Sequence, residues 1–176
     1  MSLTSPEKHW WDSPLHRDEK IWITLALIWC MFLTGFMPYW HLTGEQNASS
    51  RYAKMYAADF ERLTDAFIEK YKVGEEKGIP VVAPPAGADI FLRSRQWSWD
   101  PILKLKTGKQ YNLHLSSVDV NHGLSVFPMN FNFQVVPGYD NWLLITPTKA
   151  GEYTIICNEF CGIGHHTMIG RIYVES

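Results

Sequence analysis

At 176 residues the chain has room for about one globular domain and an appendage. A formal net charge of -2 gives no footprint for nucleic acid, which would need a clustered basic surface. Aromatic residues make up 14%, eight of them Trp, a surplus of the kind that anchors proteins at membrane interfaces.

Residues 1–20 are polar with Trp10 and Trp11 interspersed, and read as a segment at a membrane surface. Residues 21–40, "IWITLALIWCMFLTGFMPYW", carry no charge over twenty positions. That is enough for about 30 Å of helix, the thickness of a bilayer core. Pro38 is tolerable near a helix end. A cleaved signal peptide fits less well, because four acidic residues precede the run and no small-residue cleavage site follows Trp40. Lys and Arg number three on either side, so charge does not orient the helix. Cys30, inside the run, reads as a small buried hydrophobe.

Beyond the span, Tyr52, Met55, Tyr56, Phe60, Leu63, Phe67 and Tyr71 recur at helical spacing, with Ser49 or Ser50 as a cap. The aromatic stripe is expected to pack against a partner or the membrane. Residues 73–88, rich in Pro and Gly, read as a semi-extended linker.

From Asp89 the texture changes to short apolar runs between turns at Thr107-Gly108, Pro137-Gly138 and Ala150-Gly151. "DIFLRSRQWSW" reads as one strand, placing Trp97 and Trp99 on a common face. In "YNLHL", Tyr111, Leu113 and Leu115 share one face and His114 turns to solvent. Seven or eight such strands imply a β-sandwich. The expected divisions are 1–43 for the surface segment and anchor, 44–88 for helix and linker, and 89–176 for the sandwich.

"CNEFCGIGHHTM", residues 157–168, concentrates possible metal ligands. Cys157 and Cys161 could form a disulfide, and a zinc site would require a second close pair that the sequence lacks. Thiolate, imidazole and thioether together suit copper, and Cys157, Cys161, His165 and Met168 supply them from one loop. A second imidazole is needed. His9, His16 and His41 flank the apolar span and are poorly placed, which leaves His122 in the turn Asn121-His122-Gly123 as the best candidate. His166 stands next to His165, and adjacent residues in a loop usually point apart.

Together, "SSVDVNHGLSVF" and "CNEFCGIGHHTM" resemble subunit II of haem-copper cytochrome c oxidases, whose motifs read D-V-x-H and C-x-E-x-C-G-x-x-H-x-x-M. The likeness runs through "VVPGYDNWLLITPTKAGEYTIIC" to "GRIYVES", about the last seventy residues. It implies an all-β cupredoxin-like sandwich behind one N-terminal transmembrane helix and an intervening helical segment. It further implies the dinuclear copper centre CuA, with two copper ions bridged by Cys157 and Cys161. His122 and His165 would each ligate one copper, Met168 would bind weakly, and Glu159 would contribute its carbonyl. The Glu159 carboxylate could also hold magnesium at the contact with the catalytic subunit.

"RQWSW" resembles the family's Q-W-x-W, which makes Trp97 the point of electron uptake from cytochrome c; the structural alternative is sandwich core. The single anchor and "EKIW" resemble the single-helix b-type form, which makes Glu19 a candidate for proton uptake, with a plain interfacial carboxylate as the alternative. The resemblance places the copper domain on the outer, periplasmic face of the plasma membrane. The implied function is electron relay, without catalysis of its own, from cytochrome c to haem in catalytic subunit I, which reduces oxygen to water and moves protons. The alternative is the CuA subunit of a related nitric oxide reductase, left open by the helical insert at residues 50–72.

Overall fold

The computed structural model describes residues 10–12, 14–43, 51–129 and 131–176, which fall into two compact units, Met1–Gln46 and Asn47–Ser176. In the first, helix α1 spans Arg17–Thr43 and none of its residues is buried. A helix apolar all round, with a mean hydropathy of 1.9 over its best window, suits a lipid environment by length and composition. Glu19 closes its first turn by accepting the His16 backbone N–H at 2.8 Å, half of a capping box. The helix continues five residues past Pro38, which therefore lies inside it. Cys30, expected to be buried, is exposed, because among the described residues of this unit no other element covers α1.

The second unit is a sandwich of two sheets. The five-stranded sheet has the order β1-β10-β7-β4-β5 and the seven-stranded sheet the order β2-β3-β6-β12-β11-β8-β9. Their ranges are β1 Arg51–Lys54, β2 Lys72–Glu76, β3 Ile79–Val82, β4 Asp89–Arg95, β5 Ser98–Asp100 and β6 Ile102–Lys106. Next come β7 Tyr111–Ser117, β8 His122–Phe127, β9 Phe131–Val135, β10 Tyr139–Ile145, β11 Gly151–Cys157 and β12 Ile169–Glu175. Alternation drives the packing: Tyr111, Leu113 and Leu115 of β7 face Leu124, Ile155 and Ile172 across one apolar core.

Several local expectations are corrected. Residues 51–54 form edge strand β1, and α2 covers only Ala57–Tyr71; the expected caps Ser49 and Ser50 lie outside the described residues. The α2 stripe packs on its own domain, with Phe60 and Phe67 against Phe91 of β4 at 5.9 and 5.7 Å. The expected linker instead forms the β2–β3 hairpin, turning at Lys77 and Gly78 with positive φ. Its Val81 and Val82 bury against β6, and that apolar pair outweighs the Pro and Gly around it.

"DIFLRSRQWSW" is a β4–β5 hairpin turning at Gln96 and Trp97, since Arg93 pairs with Asp100. The turn separates the two tryptophans: Trp97 is 41% exposed at the tip, whereas Trp99 is buried at 1%. His114 is also not solvated, because its side chain is only 14% exposed beneath Phe91 and Trp142.

Candidate metal centre

The antiparallel pairing of β8 with β11 sets Leu124 opposite Cys157 and the start of one strand beside the end of the other. Residues 35 positions apart thus become neighbours, His122 at the head of β8 and Cys157 at the foot of β11. The ligand loop that follows is pinched at its base, where the Cys157 N–H donates to the Met168 carbonyl at 3.2 Å. Inside it, Gly162, Gly164 and His165 carbonyls accept from the N–H groups three residues on. This 3-10 turn carries His165 and Met168 back towards the cysteines.

His122, Cys157 and Cys161 are buried, with ligand atoms mutually within 4.8 Å. The two sulfurs lie 3.8 Å apart and unbonded. Each thiol has its own imidazole: His122 Nδ1 is 3.8 Å from Cys157 Sγ, and His165 Nδ1 is 3.6 Å from Cys161 Sγ. Each also has a weaker donor, the Glu159 carbonyl at 3.3 Å from Cys157 and the Met168 thioether at 3.8 Å from Cys161. The Glu159 carboxylate and His166 are exposed. The centre therefore gathers His122, Cys157, Cys161, His165 and Met168 by side chain and Glu159 by backbone. Trp97 lies beside it, while Glu19 belongs to the other unit and caps α1.

Soft thiols and a thioether with two imidazoles suit copper. With metal–sulfur bonds of about 2.3 Å, as for zinc, an ion could touch both sulfurs at an S–metal–S angle of about 110°. The residues present therefore fit a copper ion without rearrangement of the sulfurs. Burial first, and then the adjacent Cys157, push the Cys161 thiol up to about 11, so the metal-free site holds a proton there that a metal must displace.

The surroundings hold this geometry. His122 Nε2 lies 2.8 Å from Asp119 Oδ1, which places the ring proton on Nε2 and leaves Nδ1 towards Cys157. Burial raises the Asp119 carboxyl, but bonds from His122 and from the N–H groups of Gln96 and Val120 outweigh it and hold it below the usual range. Gln96 Nε2 donates to the Cys161 carbonyl at 2.6 Å, tying the hairpin tip to the ligand loop. A Cβ on Gly123 would come within 2.9 Å of the Glu159 backbone nitrogen, so β8 and the loop approach as closely as they do only through glycine. The Trp97 ring lies on Gly164 in the same way, where a Cβ would meet it at 2.4 Å.

Sequence reasoning missed Asp119, Gln96, Gly123 and Gly164. Asp119 stands in the D-V-x-H motif and could have been found there; the others are defined only by what lies against them.

A family model described as the periplasmic domain of cytochrome c oxidase subunit II matches residues 92–176. A cytochrome c oxidase subunit 2 of Thermus thermophilus is 38% identical over 159 residues, 89% of this chain and 91% of its own length. The chain belongs to the cytochrome c oxidase subunit II family. A probable cytochrome c oxidase subunit 2 of Streptomyces coelicolor is 37% identical over 76 residues, 43% of this chain and 24% of its own length. Among solved structures, a chain of a heme-copper terminal oxidase dimer determined by cryo-EM superposes with a TM-score of 0.58 at 26% identity. That match covers 90% of this chain and 100% of the other. The sandwich is thus the cupredoxin-like domain of a heme-copper oxidase subunit II, carried by a chain with one N-terminal apolar helix.

Proposed function

We propose that this subunit II is the electron relay of its oxidase and holds a dinuclear CuA centre. The observation that carries the proposal is the paired arrangement of donors: two thiols 3.8 Å apart, each with its own imidazole and its own weak donor. Two thiols, two imidazoles, a thioether and a carbonyl are six donors, more than the four that a single tetrahedral ion takes. Cys157 and Cys161 would hold both ions, His122 and His165 would each ligate one, Met168 would bind weakly, and Glu159 would contribute its carbonyl. When bound, the centre supplies a one-electron couple spread over two thiolates.

The chain's own residues keep that couple from rearranging. Asp119 fixes the His122 ring, Gln96 holds the Cys161 carbonyl, and the Cys157–Met168 backbone bond shuts the loop. Trp97, half exposed and stacked on Gly164 one residue before His165, is the proposed point where cytochrome c delivers electrons. They would pass to haem in catalytic subunit I for oxygen reduction with proton translocation, the copper domain facing the periplasm and α1 crossing the lipid of the plasma membrane. The named relatives are oxidase subunits, which favours oxygen over nitric oxide as acceptor. Glu159 would offer its free carboxylate to magnesium at the subunit I contact, and Glu19 would stand at a proton path.

Copper loading of the full chain tests the assignment. Two coppers per chain, a purple colour and a multi-line EPR signal are expected. Replacing His122 or His165 should disrupt the spectrum, and replacing His166 should leave it nearly intact. Colourless protein without two coppers would overturn the proposal.

A further inference from the structure

We propose that the outer face of the five-stranded sheet carries a second metal site, for a zinc-like divalent cation, ligated by His114 and Asp89. The site shares no residue with the cysteine centre. In β7 the inward residues Tyr111, Leu113 and Leu115 alternate with Asn112 and His114 on the outer face. Helix α2 covers only the Phe91 side of that face. The remainder opens into a cavity of about 790 Å³ lined by Arg51, Asp89, Asn112, His114, Trp142 and Leu144.

His114 is held in it as metal-binding imidazoles are held. Its Nδ1 lies 2.8 Å from Oδ2 of Asp140, a carboxylate only 1% exposed that also accepts the Trp142 indole N–H. That contact sets the ring proton on Nδ1 and leaves the Nε2 lone pair facing the cavity. Phe91 stacks on the imidazole at 4.6 Å and Trp142 tilts against it at 5.3 Å, so the ring cannot turn away.

Opposite Nε2 stands the Asp89 carboxylate, steadied by the Asn112 amide at 2.9 Å. Nε2 and Asp89 Oδ1 are 3.8 Å apart, too far for a hydrogen bond. One ion at metal–ligand distances of about 2.1 Å would hold these atoms about 3.4 Å apart at a tetrahedral angle. Asp89 is exposed and can close that difference. The buried Asp140 Oδ1 has no hydrogen-bond partner among the described residues, so Asp140 holds the imidazole and the Trp142 indole through Oδ2 alone. One nitrogen and one oxygen ligand, with the remaining positions left to water, suit zinc and related borderline ions better than magnesium.

The rival arrangement is an imidazolium bridging the two carboxylates with no metal, and the His114 ring itself decides between them. The full chain, ring-nitrogen labelled and reduced, is titrated in detergent micelles with zinc chloride while two-bond proton–nitrogen spectra follow His114. Zinc taken up by the thiols does not enter this readout. Before zinc, Nδ1 should carry the proton and Nε2 should not. Added zinc should then shift Nε2 to saturation, and the same concentration of magnesium should not. Asp89→Asn, at an exposed position and with its fold checked by circular dichroism, should weaken the response tenfold or more. Both ring nitrogens protonated at neutral pH, a ring unmoved by millimolar zinc, or an unchanged response in D89N would each overturn the site.

Discussion

Gly164→Ala isolates the contact between Trp97 and the ligand loop. Gly164 has φ -86° and ψ 9°, a conformation any residue can adopt, so alanine adds no backbone strain. The new Cβ would instead lie 2.4, 2.7 and 2.8 Å from Trp97 Cδ2, Cε3 and Cγ. Ordinary carbon contacts are about 3.5–4.0 Å, so the ring must retreat by about 1 Å. Overpacking of this kind costs about 1–3 kcal/mol. Trp97 is 41% exposed and has room on one side, which puts the expected cost in the lower half of that range. In a Trp97→Ala background the obstructing ring is gone and G164A should cost almost nothing. Denaturant unfolding of the sandwich, followed by circular dichroism for both single variants and the double, should return a coupling of about 1–2 kcal/mol. Additivity within about 0.5 kcal/mol would refute the contact. With copper bound, G164A should also slow reduction by cytochrome c while leaving the copper spectrum nearly unchanged.

Two further outcomes follow from other parts of the structure. Because the Cys161 thiol is pushed up to about 11, copper uptake near neutral pH must release its proton. Apparent copper affinity should therefore fall about tenfold for each unit of acidification per proton released, and loading in weak buffer should acidify it; loading without acidification counts against the buried-thiol geometry. Arg93 binds Asp100, 13% exposed, on β5 and Asp65, 65% exposed, on α2. Arg93→Ala leaves the nearly buried Asp100 carboxylate with only the longer contact to Arg95 at 3.6 Å and should cost about 2–3 kcal/mol, whereas Asp65→Ala should cost under about 1 kcal/mol. Similar losses for the two variants in thermal unfolding would contradict that ranking.

What the sequence determined by itself is what one short stretch can carry. An uncharged run of twenty residues specifies a membrane-length helix, and two-residue alternation in "YNLHL" specifies which side of β7 is core. Four ligand candidates in one twelve-residue loop point to soft-metal chemistry from the sequence alone. What only tertiary structure decided depends on a partner distant in the chain. Lone periodicity could not say that the α2 stripe meets Phe91 of its own domain, or that two valines among prolines and glycines pair with β6. Parity along "RQWSW" misled because a hairpin turn interrupts the strand, and His114 looked solvated because Asp140 lies 26 residues away. The ligand loop is the clearest case. Its donors are local in sequence, but the β8–β11 pairing that brings His122 to Cys157, and the glycines that let strand, loop and Trp97 approach so closely, exist only once the sheets have formed.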